Sequence, residues 1–195
     1  HILHAGRHLL MLVNDILDVV QLEQNVMEIQ LSDCRLSPAI EQSIALVSAQ
    51  AAQRDIAITS ADTLLSIVAH HGRLKQVLIN LLSNAIKYSP KGSMIELQVR
   101  EAADNRVDIC IIDNGIGIAP ADQQAIFEPF TRLPYAEQHE VQGTGIGLAL
   151  SKFLVEWEQN RPSTKYDLTF FISFYEEIIY IFIVIGLLYQ IINLI

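Results

Sequence analysis

Between Leu74 and Pro90 the chain reads LKQVLINLLSNAIKYSP, with apolar residues at Leu74, Val77, Leu78, Leu81, Leu82, Ala85 and Ile86. That period predicts an amphipathic helix with one buried stripe. Asn80, Asn84 and Lys87 fall at i, i+4 and i+7, so their side chains project from one face. Asparagine is a poor helix-interior residue because its amide competes for backbone hydrogen bonds. Two of them in register ask for a reason other than folding.

The same patterning maps the rest of the chain. His1–Glu23 has Ile2, Leu9, Val13, Ile16 and Val20 at bundle spacing, widened by Leu3, Leu10 and Leu17, and predicts a helix that needs a partner. Gln24–Ser37 is polar, with a short alternating run at Met27–Leu31, and reads as a linker into a first strand. Ser37 as N-cap and Pro38 at the first helical position start a helix to about Gln53, with Ile40, Ile44 and Val47 facing inward. Asp55–Ser60 and Leu64–Val68 are short strand candidates around a turn at Ala61–Thr63. Met94–Glu101 and Arg106–Ile112, joined by Ala103-Asp104-Asn105, predict an antiparallel hairpin. Ile118–Gln142 has little periodicity beyond a short helix around Asp122–Phe127, and a loop this long is functional or disordered.

After Val155 the composition changes. No alanine follows Ala149, while Ile, Phe and Tyr become dense. The change marks a different module or a shift of reading frame. Ile178–Ile195 carries no formal charge and lies at the low edge of the length that crosses a bilayer. The expectation is an atypical hydrophobic tail over 158–195 that seeks a membrane or a partner. Alternatively, Asp167–Tyr175 replaces a sheet strand, because its β-propensity is high.

A chain of 195 residues can hold one domain with a real core and some extra elements. A net charge of −9 argues against nucleic acid as a partner, since that needs a basic face. It says little about small phosphate-bearing ligands, because phosphate sites are local. Cys34 and Cys110 stand far apart without a motif and read as reduced thiols of a cytoplasmic domain. The chain opens on His1 without a signal-peptide pattern, and reads as a fragment of something longer.

Two glycine motifs add chemistry. Asp113-Asn114-Gly115-Ile116-Gly117-Ile118 follows the strand-like VDICII, and a carboxylate at a strand end can accept a hydrogen bond from an exocyclic amine such as that of adenine. Gly143-Thr144-Gly145-Ile146-Gly147-Leu148 precedes the helix-like ALSKFLVE, and a glycine-rich loop opening a helix lets backbone N–H groups approach phosphate. Alone, the second motif is weak. Together, Asn80–Tyr88, Asp113–Gly117, Phe127–Phe130 and Gly143–Gly147 resemble the N, G1, F and G2 boxes of sensor histidine kinases, in the superfamily of gyrase, Hsp90 and MutL.

The resemblance implies an α+β fold: a two-layer α/β sandwich of the Bergerat type, a mixed sheet with helices on one face, over residues 28–157. Residues 1–24 resemble the second helix of a dimerisation and phosphotransfer hairpin. Asp113 would hold the adenine amino group, with Gly115, Gly117 and Ile118 close to the nucleotide. Asn84 would bind Mg²⁺, supported by Asn80, while Lys87 neutralises phosphate and Tyr88 packs beside the nucleotide. Gly143, Thr144, Gly145, Ile146, Gly147 and Leu148 would receive the phosphates. Residues 118–142 correspond to the ATP lid, with Phe127 and Phe130 packing its hinge and Arg132 either reaching phosphate or lying on the surface. The implied partners are ATP, a phosphoacceptor histidine on a hairpin, a response-regulator receiver domain and a second copy of the full-length parent.

His1, His4 and His8 lack the acidic neighbour of the family's acceptor, so autophosphorylation within this chain is not expected. An ATPase of the same superfamily is disfavoured, because the position of its glutamate base is Asn80 and an amide cannot deprotonate water. His70-His71-Gly72 reads as a helix-start loop, not a metal site. The competing reading is a truncated, inactive kinase acting as an interaction module, or a remnant without function.

Overall fold

The computed structural model describes residues 31–102, 106–134, 136, 141, 143–159, 168–175 and 178–185. The bundle helix expected over 1–24, the hairpin turn at 103–105 and the end of the tail at 186–195 lie outside the described residues.

Strand β1 (Ser32–Arg35) leads into helix α1 (Leu36–Gln53), followed by β2 (Ala57–Ser60), β3 (Ser66–Ala69) and helix α2 (His71–Tyr88). Then come β4 (Met94–Ala102), β5 (Arg106–Asp113), a 3-10 turn at Ala125–Phe127, helix α3 (Gly147–Gln159), β6 (Leu168–Tyr175) and β7 (Ile178–Ile185). The five-stranded sheet runs β2-β4-β5-β7-β6, parallel between β2 and β4 and antiparallel elsewhere, so it is mixed as expected. β1 and β3 form a separate antiparallel pair beside it. α2 packs between α1 and α3, and the three helices meet the sheet at β2, β5 and β6.

α2 forms where its apolar period demands. Leu74, Val77, Leu78, Leu81, Leu82, Ala85 and Ile86 are all buried. His70 caps it, its Nδ1 accepting the Arg73 N–H at 3.3 Å, so that His71 and Gly72 of the expected start loop already belong to the helix. α1 departs from expectation in its cap. Arg35, not Ser37, stands at the N-cap, and the Leu36 N–H donates to the Leu65 carbonyl at 3.0 Å. The Ser37 hydroxyl is drawn instead to the Asp62 carboxylate, while Pro38 sits harmlessly in the first turn.

The C-terminal stretch enters the sheet. β7 pairs with β5 from Asp108↔Val184 to Asp113↔Ile179, and β6 completes a hairpin with β7. Residues 168–175 therefore occupy a strand, the alternative that β-propensity offered, and 178–185 cover the edge of β5. Among the described residues no helix is long and apolar enough to cross a membrane.

Leu81 is fully buried at the centre of α2. Leu81→Ala should destabilise the domain by about 2–5 kcal/mol through lost burial and a residual cavity. A lowered urea midpoint with an unchanged slope would be the readout.

Candidate functional site

The polar face of α2 meets the glycine loop. Asn80, Asn84 and Lys87 are half-buried. Asn80 Nδ2 donates to the Gly147 carbonyl at 3.4 Å, joining positions 67 residues apart. A Cβ at Gly147 would lie 3.7 Å from Asn80 Cγ, and one at Gly143 would lie 3.9 Å from Lys87 Nζ. Helix spacing aligns the three side chains; only the tertiary fold sets a glycine loop over them.

Asp113 ends β5 and is 3% exposed. Its Oδ1 accepts the Gly115 N–H at 2.6 Å. Burial pushes its carboxyl up to about 6, and the Gly115 hydrogen bond pulls the other way. A side chain at Gly115 would displace the Asp113 carboxylate: a Cβ would sit 2.6 Å from that oxygen and 3.2 Å from the Tyr88 carbonyl oxygen. The Asp113 turn is thus stacked on the end of α2. Burial also raises the Tyr88 phenol, against the lowering charge of Arg132. Gly117 takes φ +72° with open space around it. Ile118 and Leu148 pack on the core from its edge, and Ile146 is buried within it.

The 118–142 loop is tied to the glycine loop through backbone. Gly145 has φ +74°, and a Cβ there would lie 2.8 Å from both the Phe130 carbonyl carbon and the Thr131 oxygen. The Phe130 N–H donates to the Gly145 carbonyl at 3.1 Å. Thr144 Oγ1 accepts the Ile146 N–H at 3.2 Å. Phe127 is half-buried beneath Lys152 Nζ, 5.3 Å from the ring centre, whereas the Phe130 ring is 62% exposed. Packing of the hinge therefore falls to Phe127 and to the buried Ile126, which pattern reading passed over because a single apolar residue in a 3-10 turn has no period. Arg132 lies exposed and spends its guanidinium on the Ala136 and Val141 carbonyls, at 3.2 and 2.6 Å. Arg54 also escaped notice; it donates to the Ser89 carbonyl at 2.8 Å, closing the end of α2.

Gly145→Ala should break the contact between the two loops, because the new Cβ meets backbone that cannot swing away. Faster amide exchange over 130–147, with exchange in α2 nearly unchanged, is the expected result.

The model of the histidine kinase-, DNA gyrase B- and HSP90-like ATPase family matches residues 69–174. The chain is 34% identical over 155 residues to the "Non-motile and phage-resistance protein" of Caulobacter vibrioides, covering 77% of this chain and 18% of that one. It is 32% identical over 162 residues to the "Cell-division control histidine kinase PdhS" of Brucella abortus, covering 78% of this chain and 16% of that one. The chain thus spans less than a fifth of the length of these curated relatives. Full-length ShkA, solved in complex with AMPPNP, superposes with a TM-score of 0.74 at 27% identity, over 94% of this chain and 36% of that one. With the matched region running from the strand before α2 through the glycine loop into β6, the chain belongs to the histidine kinase-, DNA gyrase B- and HSP90-like ATPase family.

Proposed function

We propose that residues 28–157 are the ATP-binding catalytic part of a sensor histidine kinase in a two-component system, transferring the γ-phosphoryl of ATP to a histidine on another helix. The observation that supports it best is the convergence of the Asn80–Asn84–Lys87 face with Gly143–Gly147, while the buried Asp113 stands at the end of the same helix. The ShkA structure, by its own description, holds a nucleotide analogue.

In this reading Asp113 accepts the adenine amine and Gly115 permits close approach. Lys87 and the backbone N–H groups of Gly143–Gly147 take up phosphate charge. Thr144 orients its loop through the Ile146 N–H, and Tyr88 flanks the nucleotide. Asn84 and Asn80 are neutral oxygen donors on one helix face, which suits a hard cation that keeps several waters and takes its charge compensation from phosphate. Mg²⁺, when bound, supplies charge neutralisation across the phosphates. The protein's own contribution is positioning the phosphates in line with the acceptor and stabilising the charge that develops. A second copy of the parent, its acceptor hairpin and a receiver domain are the partners this implies, on the cytoplasmic side.

Calorimetric titration with Mg²⁺-ADP tests the site: micromolar binding by the wild type should be lost in Asn84→Ala. Phosphate transfer to an added acceptor hairpin should follow the same pattern. A folded chain that binds no nucleotide would overturn the reading.

Proton linkage gives a second test. Asp113 titrates near 6 in the folded chain, above its ordinary 3.8. Its contribution to stability is therefore complete below the ordinary value and lost as pH rises through about 6. Adenine binding requires the ionised form, so affinity for Mg²⁺-ADP should fall roughly tenfold from pH 7 to pH 5. Asp113→Asn should bind more weakly but with a flat pH profile over that range.

A further inference from the structure

Two serines of α1 turn their hydroxyls back onto the helix, whereas Ser37 and Ser83 reach the side chains of Asp62 and Gln50. Ser43, fully buried on α1, donates Oγ to the Ala39 carbonyl four residues earlier at 2.7 Å. Ser48 donates to Ala45 at the same distance. Ser151 on α3 is as buried as Ser43, yet its Oγ has no partner among the described residues. Four residues before Ser151 stands Gly147, and the Gly147 carbonyl is the one that accepts Asn80 Nδ2.

Side chains on a helix lean toward its N-terminus, so residue 151 overlies the turn of residue 147. A carbonyl has two lone pairs, and within a helix one belongs to the backbone ladder. At Gly147 the remaining one goes to Asn80. The oxygen that helix spacing offers to the Ser151 hydroxyl is thus the one that Asn80 already holds. At 3.4 Å the Asn80 bond lies beyond the usual N–H···O range, whereas the Ser43 bond shows how short the hydroxyl alternative can be.

We propose that Ser151 is a positioning residue that exchanges with Asn80 for the Gly147 carbonyl. Asn80 holds this oxygen in the conformation seen here; when metal and phosphate draw its amide away, Ser151 takes the oxygen and keeps the first turn of α3 in place. The exchange rests on the nucleotide reading for its trigger, and deepens it by adding a residue that touches neither nucleotide nor metal.

Melting of the full chain without nucleotide tests the exchange as a double-mutant cycle. Ser151→Ala in the wild-type background should raise the midpoint by about 2–4 °C, because it removes an unpaired buried hydroxyl. In the Asn80→Ala background it should lower the midpoint by about as much, because Ser151 then holds the carbonyl. A purely structural serine would shift both backgrounds in one direction, and that result overturns the proposal. In Mg²⁺-ADP titrations Ser151→Ala should weaken binding roughly three- to tenfold. Where the wild type binds Mg²⁺-ADP, equal affinity of the two chains overturns the proposal as well. Opposite melting shifts in a wild type that binds no Mg²⁺-ADP would support the exchange and overturn the nucleotide reading.

Discussion

The burial of one face of α2 is the constraint on which everything else rests. Seven apolar side chains from Leu74 to Ile86 are removed from water on that face. At about 25 cal/mol per Å² this is the dominant stabilisation available to a helix of this length. It also determines where the other face points. With Leu81, Leu82, Ala85 and Ile86 inward, Asn80, Asn84 and Lys87 have no choice but to stand at the helix boundary, half in solvent. The poor helix propensity of the asparagines is then a small local cost, offset by the packing beneath them.

The loops converge on that face through backbone, not through side chains. Gly115 brings the Asp113 turn against the Tyr88 carbonyl, and Gly145 brings the glycine loop against Phe130 and Thr131. A Cβ at Gly145 would meet that backbone at 2.8 Å, and one at Gly115 would crowd the Tyr88 oxygen at 3.2 Å. Main chain at these distances is stiff, so the relative placement of Asp113, Lys87 and the glycine loop does not depend on flexible side chains adopting one rotamer. The more labile contacts are those of polar side chains: Asn80 on Gly147, and Arg132 on Ala136 and Val141. Rigid backbone contacts beside exchangeable polar ones suit the proposed site, which would have to admit and release a charged ligand.

Burial has a cost at Asp113. A carboxyl held in an apolar neighbourhood with one short N–H bond is easier to protonate than one in water. The same seclusion strengthens any hydrogen bond it makes once ionised, because little water competes. Unfavourable isolation in the free chain and, in the proposed nucleotide reading, selective recognition of an amine are two consequences of one environment.

Much of this was legible in the chain itself. The α2 stripe and the β4–β5 hairpin follow from periodicity and turn residues, which are local signals, while the mixed sheet and the set of motif residues were expected through the family resemblance that those spacings carry. Long-range choices were not legible. The Ser37 hydroxyl looks like a helix cap until Asp62 is folded next to it, and then Leu65 satisfies the helix start instead. In the tail, 178–195 reads as a membrane- or partner-seeking stretch and 167–175 as a strand candidate, because β-propensity and hydrophobicity coincide in Ile, Phe and Tyr; pairing of 178–185 with the edge of β5, and of 168–175 with 178–185, makes both of them strands. Arg132 carries the same charge in either role, and only the closeness of the Ala136 and Val141 carbonyls directs it to the lid. Sequence alone thus determined the central helix, the hairpin beside it and the chemical inventory of the site, since these depend on residues near one another along the chain. Tertiary structure decided which groups share a partner, since a hydrogen bond such as Asn80 to Gly147 depends on proximity that no local pattern encodes.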